Sequence, residues 1–434
     1  MDRDGRGDRF ALWLALVAAV ALAVRVTYTL AVDPVVPEVS DANAYHLLAD
    51  HLADGRGYIR PFDLTILHRV RFTAEFPPLL PALLAVPSLL GLDTVTGHRL
   101  VTCAVGAASV AVIGLLGRRV GGPAVGLVAA GIAAVHPMLF QADGVAMSES
   151  PYVGLVAGVL LLAIRALDRA TPLRVGALGA AIGIAALARP EALLFLPLLG
   201  FPVAWQAGPA GRLRLAAVVA LGTVAVVGPW TLRNAVRFGT VVPVSNNLGT
   251  VLAGANCDAT YGGEQLGLWR YDCFGGFDLD GQDEAAAARA AARAGAGYAR
   301  AHASRLPAVL LAREARTWGL WRPTQQVYMA TLEGRTKRWE TLGTRLHWVL
   351  LALAGAGAVV LHRRRRPPLW PLLTSVAVVT LTAAVTYGNQ RFRAGAEPAI
   401  VVLAALTLVD AVRHLTGLAQ DYGDGLYRVY LRCR

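Results

Sequence analysis

The chain is divided into apolar runs of roughly 16 to 22 residues, close to the ~20 that an α-helix needs to cross the hydrocarbon core of a bilayer. They fall at 10–32, 96–117, 121–140, 150–167, 172–188, 191–206, 213–233, 345–361, 368–387 and 397–415. Backbone surrounded by lipid must satisfy its own N–H and C=O groups, so runs of this length and spacing predict an all-α integral membrane protein of about ten spans. Composition agrees: 55% of the 434 residues are hydrophobic and 16% charged, with a mean hydropathy of +0.49. An ordinary soluble domain, with about 25% charged residues, is excluded.

The net charge of +12 suggests nucleic acid at first sight, but the arginines sit mostly in short connections, and no basic-aromatic module accompanies them. Arg118 and Arg119, then Arg165, Arg169 and Arg174, then Arg212 and Arg214, then His362 with Arg363 to Arg366 all fall on one side of an alternating chain. The positive-inside bias makes that side cytoplasmic and both termini with it. No small-residue cleavage site clearly follows the first run, so it reads as a retained span rather than a signal peptide. The two short runs split at Arg189-Pro190-Glu191 carry the alternation; losing either would invert everything after it.

Three parts follow: 1–237 with a long first loop (33–95), an external region 238–344, and 345–434 with the last spans and tail. In the first loop Ser40 is placed as an N-cap, Ala44, Leu47, Leu48 and Leu52 follow at helical spacing, and Gly55 and Gly57 end the helix. This reads as an amphipathic helix lying on the membrane. The external region starts with a Gly/Asn/Thr-rich stretch and continues into an Ala/Arg helix over about 283–304 and a further helix bearing Leu306, Leu310, Trp318 and Trp321. Of the four cysteines, Cys103 lies in a span and Cys433 in the basic tail. Cys257 and Cys273 share the external region, where an oxidising compartment would pair them; two free thiols is the alternative, and no Cys-x-x-Cys spacing supports zinc. The alternation puts Asp41, Glu75 and Glu149 together on the non-cytoplasmic side, each just outside a hydrophobic span.

Several ordered segments resemble the polytopic GT-C glycosyltransferases, in particular the branch of protein O-mannosyltransferases and aminoarabinose lipid A transferases. They are Asp41 with Tyr45 and Gly55-Arg56-Gly57-Tyr58, then Glu75-Phe76-Pro77-Pro78-Leu79-Leu80-Pro81, Ser148-Glu149 and Ala188-Arg189-Pro190-Glu191. Pro229-Trp230, Arg233-Asn234, Phe238-Gly239, Val242-Pro243, Asn389-Gln390-Arg391-Phe392-Arg393 and Glu397-Pro398 complete the set. The chain departs from the aminoarabinose branch at Phe76, where that branch carries Lys, which argues against lipid A modification.

The resemblance implies a GT-C-like bundle and a sugar donor carried on a polyprenyl phosphate, with inversion at the anomeric carbon. An acceptor hydroxyl ionises far above neutral pH, so a carboxylate must take its proton as it attacks. Asp41, in the first turn of the loop helix, is the candidate base, its anion favoured by the helix N-terminus; an N-cap role is the alternative. Glu75, held before two prolines, suits an acceptor or, as the family sometimes has it, a divalent metal ion; no other cofactor is implied. Glu149 would orient the acceptor or share the base's proton network, against a capping role beside Ser148. Arg391 and Arg393, with Arg189 at another external corner, are placed to grip the lipid phosphate, against plain snorkelling at span ends. Tyr45, Tyr58 and Asn389 are carried over as further substrate-binding positions. The acceptor would be an envelope glycan, lipid or protein. A transporter or flippase keeps its charges near the bilayer midplane, whereas these cluster at span ends; a scaffold would need no carboxylates there.

Overall fold

The computed structural model describes residues 3–32, 34–206, 208, 211–274, 283–365 and 367–432. Cys433 and the segment around Gln282 lie outside them. In chain order the helices are α1 (Arg3–Thr27, prolonged by a π turn to Val32), α2 (Asp41–Ala53), α3 (Pro61–Leu67), α4 (Leu79–Ser88), α5 (Val95–Gly121), α6 (Pro123–Val135), α7 (Pro137–Gly144), α8 (Glu149–Asp168) and α9 (Pro172–Ala188). After these come α10 (Pro190–Trp205), α11 (Arg212–Phe238), α12 (Leu248–Ala255), α13 (Glu284–Ala301), α14 (Leu306–Thr317), α15 (Pro323–Thr331), α16 (Lys337–Arg364), α17 (Trp370–Val385) and α18 (Glu397–Arg432). Among the described residues there is no strand, only one bridge between Ile59 and Phe72.

All ten apolar runs are helical, but they differ in reach. Among the described residues six are long and apolar enough to cross a membrane on their own. α6 and α7 reach that length and hydropathy only as a pair, bent by 54° at His136–Pro137, where proline removes a backbone donor and crowds the preceding turn. The runs at α9, α10 and α17 are shorter apolar helices. α10 opens with a 3-10 turn and passes through a π turn at Leu196–Gly200.

The bundle packs α1 and α6 on α5, α8 between α5 and α9, α9 on α11, and α16 on α18. Several of these seams need glycine for close approach, α9 on α11 and α16 on α18 among them. A Cβ on Gly179 of α9 would lie 2.2 Å from the Val219 carbonyl of α11, and one on Gly357 of α16 would lie 2.0 Å from the Leu403 carbonyl of α18. Where lipid is as apolar as leucine, such backbone proximity supplies the packing that holds helices together. Inside the bundle Arg25 Nε pairs with Asp143 at 2.6 Å and Nη1 donates to the Ala134 carbonyl, so that buried charge is both neutralised and hydrogen-bonded.

The loop helices gather at one end. Ser40 caps α2, its hydroxyl accepting from the Asn43 N–H at 3.3 Å, and the chain turns away through Gly55 and Gly57, both at positive φ. The expectation that α2 lies on the membrane is corrected by its contacts. Its apolar face, Ala44, Tyr45 and Leu48, packs against Phe76, Leu80 and Leu84 rather than lipid, because α4 offers an apolar surface directly above it. In the region 238–344 α12 packs on α13, and Cys257 is joined to Cys273 with Cα atoms 6.2 Å apart. Arginine-rich connections occupy the opposite end, where Arg119 pairs with Asp168 and Arg364 with Asp410.

Candidate functional site

Asp41, Glu149 and Arg391 come from remote parts of the sequence and meet at the loop end of the bundle. Asp41 opens α2, and since Ser40 makes the capping bond, the Asp41 carboxylate points to other partners; 42% of its side chain is exposed. Glu149 opens α8 with 2% of its side chain exposed, and Ser148 makes no capping bond there, so Glu149 is no helix cap either. Arg391 sits in the 3-10 turn Gln390–Gly395 between α17 and α18, and Asn389 holds that turn by accepting from the Arg391 backbone N–H at 3.0 Å.

The Arg391 guanidinium is the hub. Its Nε donates to Glu149 Oε1 at 2.5 Å, and its Nη1 to Asp41 Oδ2 at 2.9 Å and to Glu333 Oε1 at 3.1 Å. Arg189 approaches Glu149 from the other side, with Nη1 3.2 Å from Oε1 and Nε 2.6 Å from Glu191, and lies over the rings of Tyr152 and Phe392. Arg335 adds a third cation 3.8 Å from Glu149. Glu333 and Arg335, in the turn between α15 and α16, are the members that sequence reasoning missed. A Glu-Gly-Arg turn just before a span was the available signal. Burial pushes the Glu333 carboxyl above the usual carboxylate range against the pull of Arg391 and Arg335.

The remaining candidates have other surroundings. Tyr45 is buried one turn along α2 with its hydroxyl against Ser148, so it braces the Asp41 end of that helix. Tyr58 spends its hydroxyl on the Phe76 and Pro77 carbonyls (3.0 and 3.2 Å) and packs edge-on to Trp230, which fixes the Glu75–Pro78 turn. Glu75 does not join the hub. Arg60 lies 3.8 Å away, and lost hydration with the neighbouring Glu284 carboxylate pushes Glu75 up to about 7, although 33% of its side chain reaches solvent. Arg393 also stays apart. It is 1% exposed and turned into the bundle, 2.6 Å from Met138 Sδ and 4.0 Å from Glu397.

A guanidinium therefore stands where three carboxylates converge, the place a divalent ion would otherwise take, so the hub as arranged does not fit a metal. Glu75, facing Arg60, is not among the described residues that group as metal ligands; those are His46, Asp50 and His98. Behind the hub a narrow cavity lined by Glu149, Arg335, Gln390, Arg393, Asp143 and Arg25 offers about 20 Å³, enough for a water and too little for a sugar.

This helical bundle, with its acidic residues at the loop end, has the fold of the GT-C membrane glycosyltransferases. The family model described as dolichyl-phosphate-mannose-protein mannosyltransferase matches residues 75–232. The oligosaccharyltransferase of Archaeoglobus fulgidus superposes with a TM-score of 0.53 at 14% identity, over 95% of this chain and 52% of that one. Its complex with an inhibitory peptide and a dolichol-phosphate gives 0.51 at 16% identity, again over 95% and 52%, and the same enzyme has been solved with Zn and sulfate. ArnT of Cupriavidus metallidurans bound to undecaprenyl phosphate gives 0.42 at 17% identity, over 91% and 77%. The chain thus spans about half the length of the archaeal enzyme it matches. A search of curated protein sequences finds no match.

Proposed function

We propose that the protein transfers a sugar from a polyprenyl-phosphate donor to a hydroxyl of an envelope glycan, lipid or protein on the non-cytoplasmic face of the plasma membrane, with Asp41 as general base. The observation that carries this reading is the hub itself: among the carboxylates meeting at Arg391, Asp41 is the most exposed, Glu333 less so (24%) and Glu149 buried. An acceptor oxygen arriving from that side gives its proton to Asp41 as it bonds to the anomeric carbon, and the carbon–oxygen bond to the phosphate breaks.

The departing phosphate gains charge that a cation must stabilise. Arg391 Nη1, shared between Asp41 and Glu333, is the edge a phosphate would take on arrival, which also releases Asp41 for its role as base. Arg189 stands next to it, while the buried side chain of Arg393 puts it outside this grip. Glu149 then keeps Arg391 and Arg189 in place rather than titrating, Tyr45 and Asn389 position the two halves of the hub, and Glu75, one face away, is kept for the acceptor. No step is assigned to a metal. The lipid-phosphate donor is supported by the dolichol-phosphate held by the archaeal enzyme of the same fold.

The test offers the purified protein in nanodiscs a panel of polyprenyl-phosphate sugars and measures sugar release or transfer, with Asp41→Asn alongside. Turnover of at least one donor, lost in the variant, is expected. No turnover on any donor, or equal turnover by the variant, would overturn the reading.

A further inference from the structure

A second polar cluster lies further along α2, on the side facing α5. His46 and Asp50, four residues apart on α2, meet His98 in the first turn of α5 and Ser88 at the end of α4. The His46 and His98 rings pack edge to face with their Nδ1 atoms 3.1 Å apart. His46 Nε2 lies 3.5 Å from Asp50 Oδ2, while His98 Nε2 is 2.7 Å from the Ser88 hydroxyl, which is itself 2.9 Å from Asp50 Oδ1. His98 is 1% exposed and His46 14%.

Counting hydrogens shows what this arrangement lacks. Two neutral imidazoles carry two N–H groups, and the ring-to-ring contact uses one of them. If His46 donates in that contact, its Nε2 is bare and faces the Asp50 carboxylate, lone pair to lone pair. If His98 donates, its Nε2 must accept from Ser88, and Asp50 Oδ1 loses that hydroxyl. Either way one contact goes without a hydrogen. One more proton or cation completes the cluster, either on Asp50 or between the two Nδ1 atoms.

We infer that His46 and His98 bind a divalent metal ion of the zinc class through their Nδ1 atoms, with Asp50 as the carboxylate that orients both rings. With the metal in place both Nε2 atoms carry hydrogen: His46 donates to Asp50, and His98 donates to Ser88, which donates to Asp50. This is the outer-shell pattern that fixes tautomers at histidine–metal sites. The 3.1 Å spacing is close to the about 3.3 Å that separates two nitrogens bound at 2.0–2.1 Å in a tetrahedral zinc site. One ligand atom from each of His46, Asp50 and His98 falls within 4.8 Å of the others, and Asp93 adds a further negative charge nearby. The remaining coordination positions go to water, so the ion is exchangeable. It clamps α2 to α5 and so fixes the helix that carries Asp41 and Tyr45, with no part in the chemistry of sugar transfer.

The probe is Co²⁺, whose visible absorption intensifies in tetrahedral nitrogen–oxygen sites. Full-length protein in nanodiscs is stripped with chelator and titrated with Co²⁺ and then Zn²⁺. One equivalent of Co²⁺ giving visible bands, displaced by Zn²⁺ and accompanied by a rise in melting temperature, is expected. His98→Gln should abolish the bands, and the less buried His46→Gln should weaken binding at least tenfold, while Glu75→Gln leaves it unchanged. Absence of bands in the wild-type protein, meaning that the cluster holds only a proton, overturns the inference; so does binding that survives both histidine substitutions or disappears with Glu75→Gln. The readout needs no sugar donor, so failure of the transferase reading would leave it standing.

Discussion

Asp41→Asn and Glu149→Gln remove one carboxylate each from the same guanidinium, yet the geometry predicts opposite balances between stability and rate. Asp41 is 42% exposed, and its 2.9 Å contact with Arg391 resembles a surface ion pair, worth about 0.2–1 kcal/mol. Ser40 still caps α2, and Arg391 keeps Glu149 and Glu333 at 2.5 and 3.1 Å. The fold of Asp41→Asn should therefore lose less than about 1 kcal/mol. Losing a general base lowers the rate by ~10²- to 10⁴-fold, or about 2.7–5.5 kcal/mol of barrier. Glu149 is 2% exposed and faces Arg391, Arg189 and Arg335. Neutralising it strands buried cations, at a cost of about 3–5 kcal/mol, less whatever the amide oxygen recovers. Glu149→Gln should thus lose both fold and rate. The assay is thermal unfolding in nanodiscs alongside transfer from a polyprenyl-phosphate sugar. Asp41→Asn turning over at the wild-type rate, or melting as low as Glu149→Gln, would refute the assignment of Asp41 as base.

The other expectations follow from single contacts. Glu75 ionises at about 7 in the folded protein against an ordinary 4.5, so its contribution to stability is fully present below about pH 4.5 and is lost as pH rises through 7; Glu75→Gln should flatten that dependence in melting experiments. Replacing Cys257 and Cys273 by serine should lower the stability of the external region by about 3 kcal/mol, measurable as faster limited proteolysis confined to that region. Gly357→Val drives a Cβ into the Leu403 carbonyl and should separate α16 from α18, costing at least about 1–3 kcal/mol, with a matching drop in melting temperature. A cysteine at Glu264 should react with an impermeant thiol reagent in intact cells and one at Arg363 should not; the reverse pattern would place the hub on the cytoplasmic face.

The fold was legible because lipid imposes length. Every apolar run of the sequence became a helix, most ends shifted by a few residues; α16 starts at Lys337 rather than 345, and the largest shift is at α18, which runs on to Arg432 rather than ending at 415. Alternation was legible for a related reason. Asp41, Glu149, Arg189, Glu333 and Arg391 meet in space, and each consecutive pair is separated by two of the ten helical segments, counting α6 with α7 as one. Pairs of antiparallel helices return the chain to the same end of the bundle, and the short α9 and α10 each take part in such a pair.

Side-chain direction was not legible, and Arg391 and Arg393 show why. The sequence puts both in one short connection at a span end, which fixes their depth but not the direction of either side chain. A 3-10 helix has three residues per turn, so each position rotates by about 120° and residues i and i+2 stand about 120° apart, on different faces. Once Arg391 is turned toward Asp41, Arg393 must point back into the bundle, where Met138 and Glu397 receive it. The roles at the start of α2 divided in the same way. Ser40 and Asp41 are both good capping residues by type, and only the observed Asn43-to-Ser40 bond assigns the cap and frees the carboxylate. The Glu-Gly-Arg turn before α16 marks Glu333 as lying near a span end but not which way it points; it belongs to the hub because α15 and α16 bring that turn to Arg391. An ionic hub drawn from five separate segments has no local spacing to betray it, which is why Asp41, Glu149, Arg189 and Arg391 could be proposed one by one from their distance to a span end, while Glu333, Arg335 and the convergence of the carboxylates on Arg391 had to be found in three dimensions.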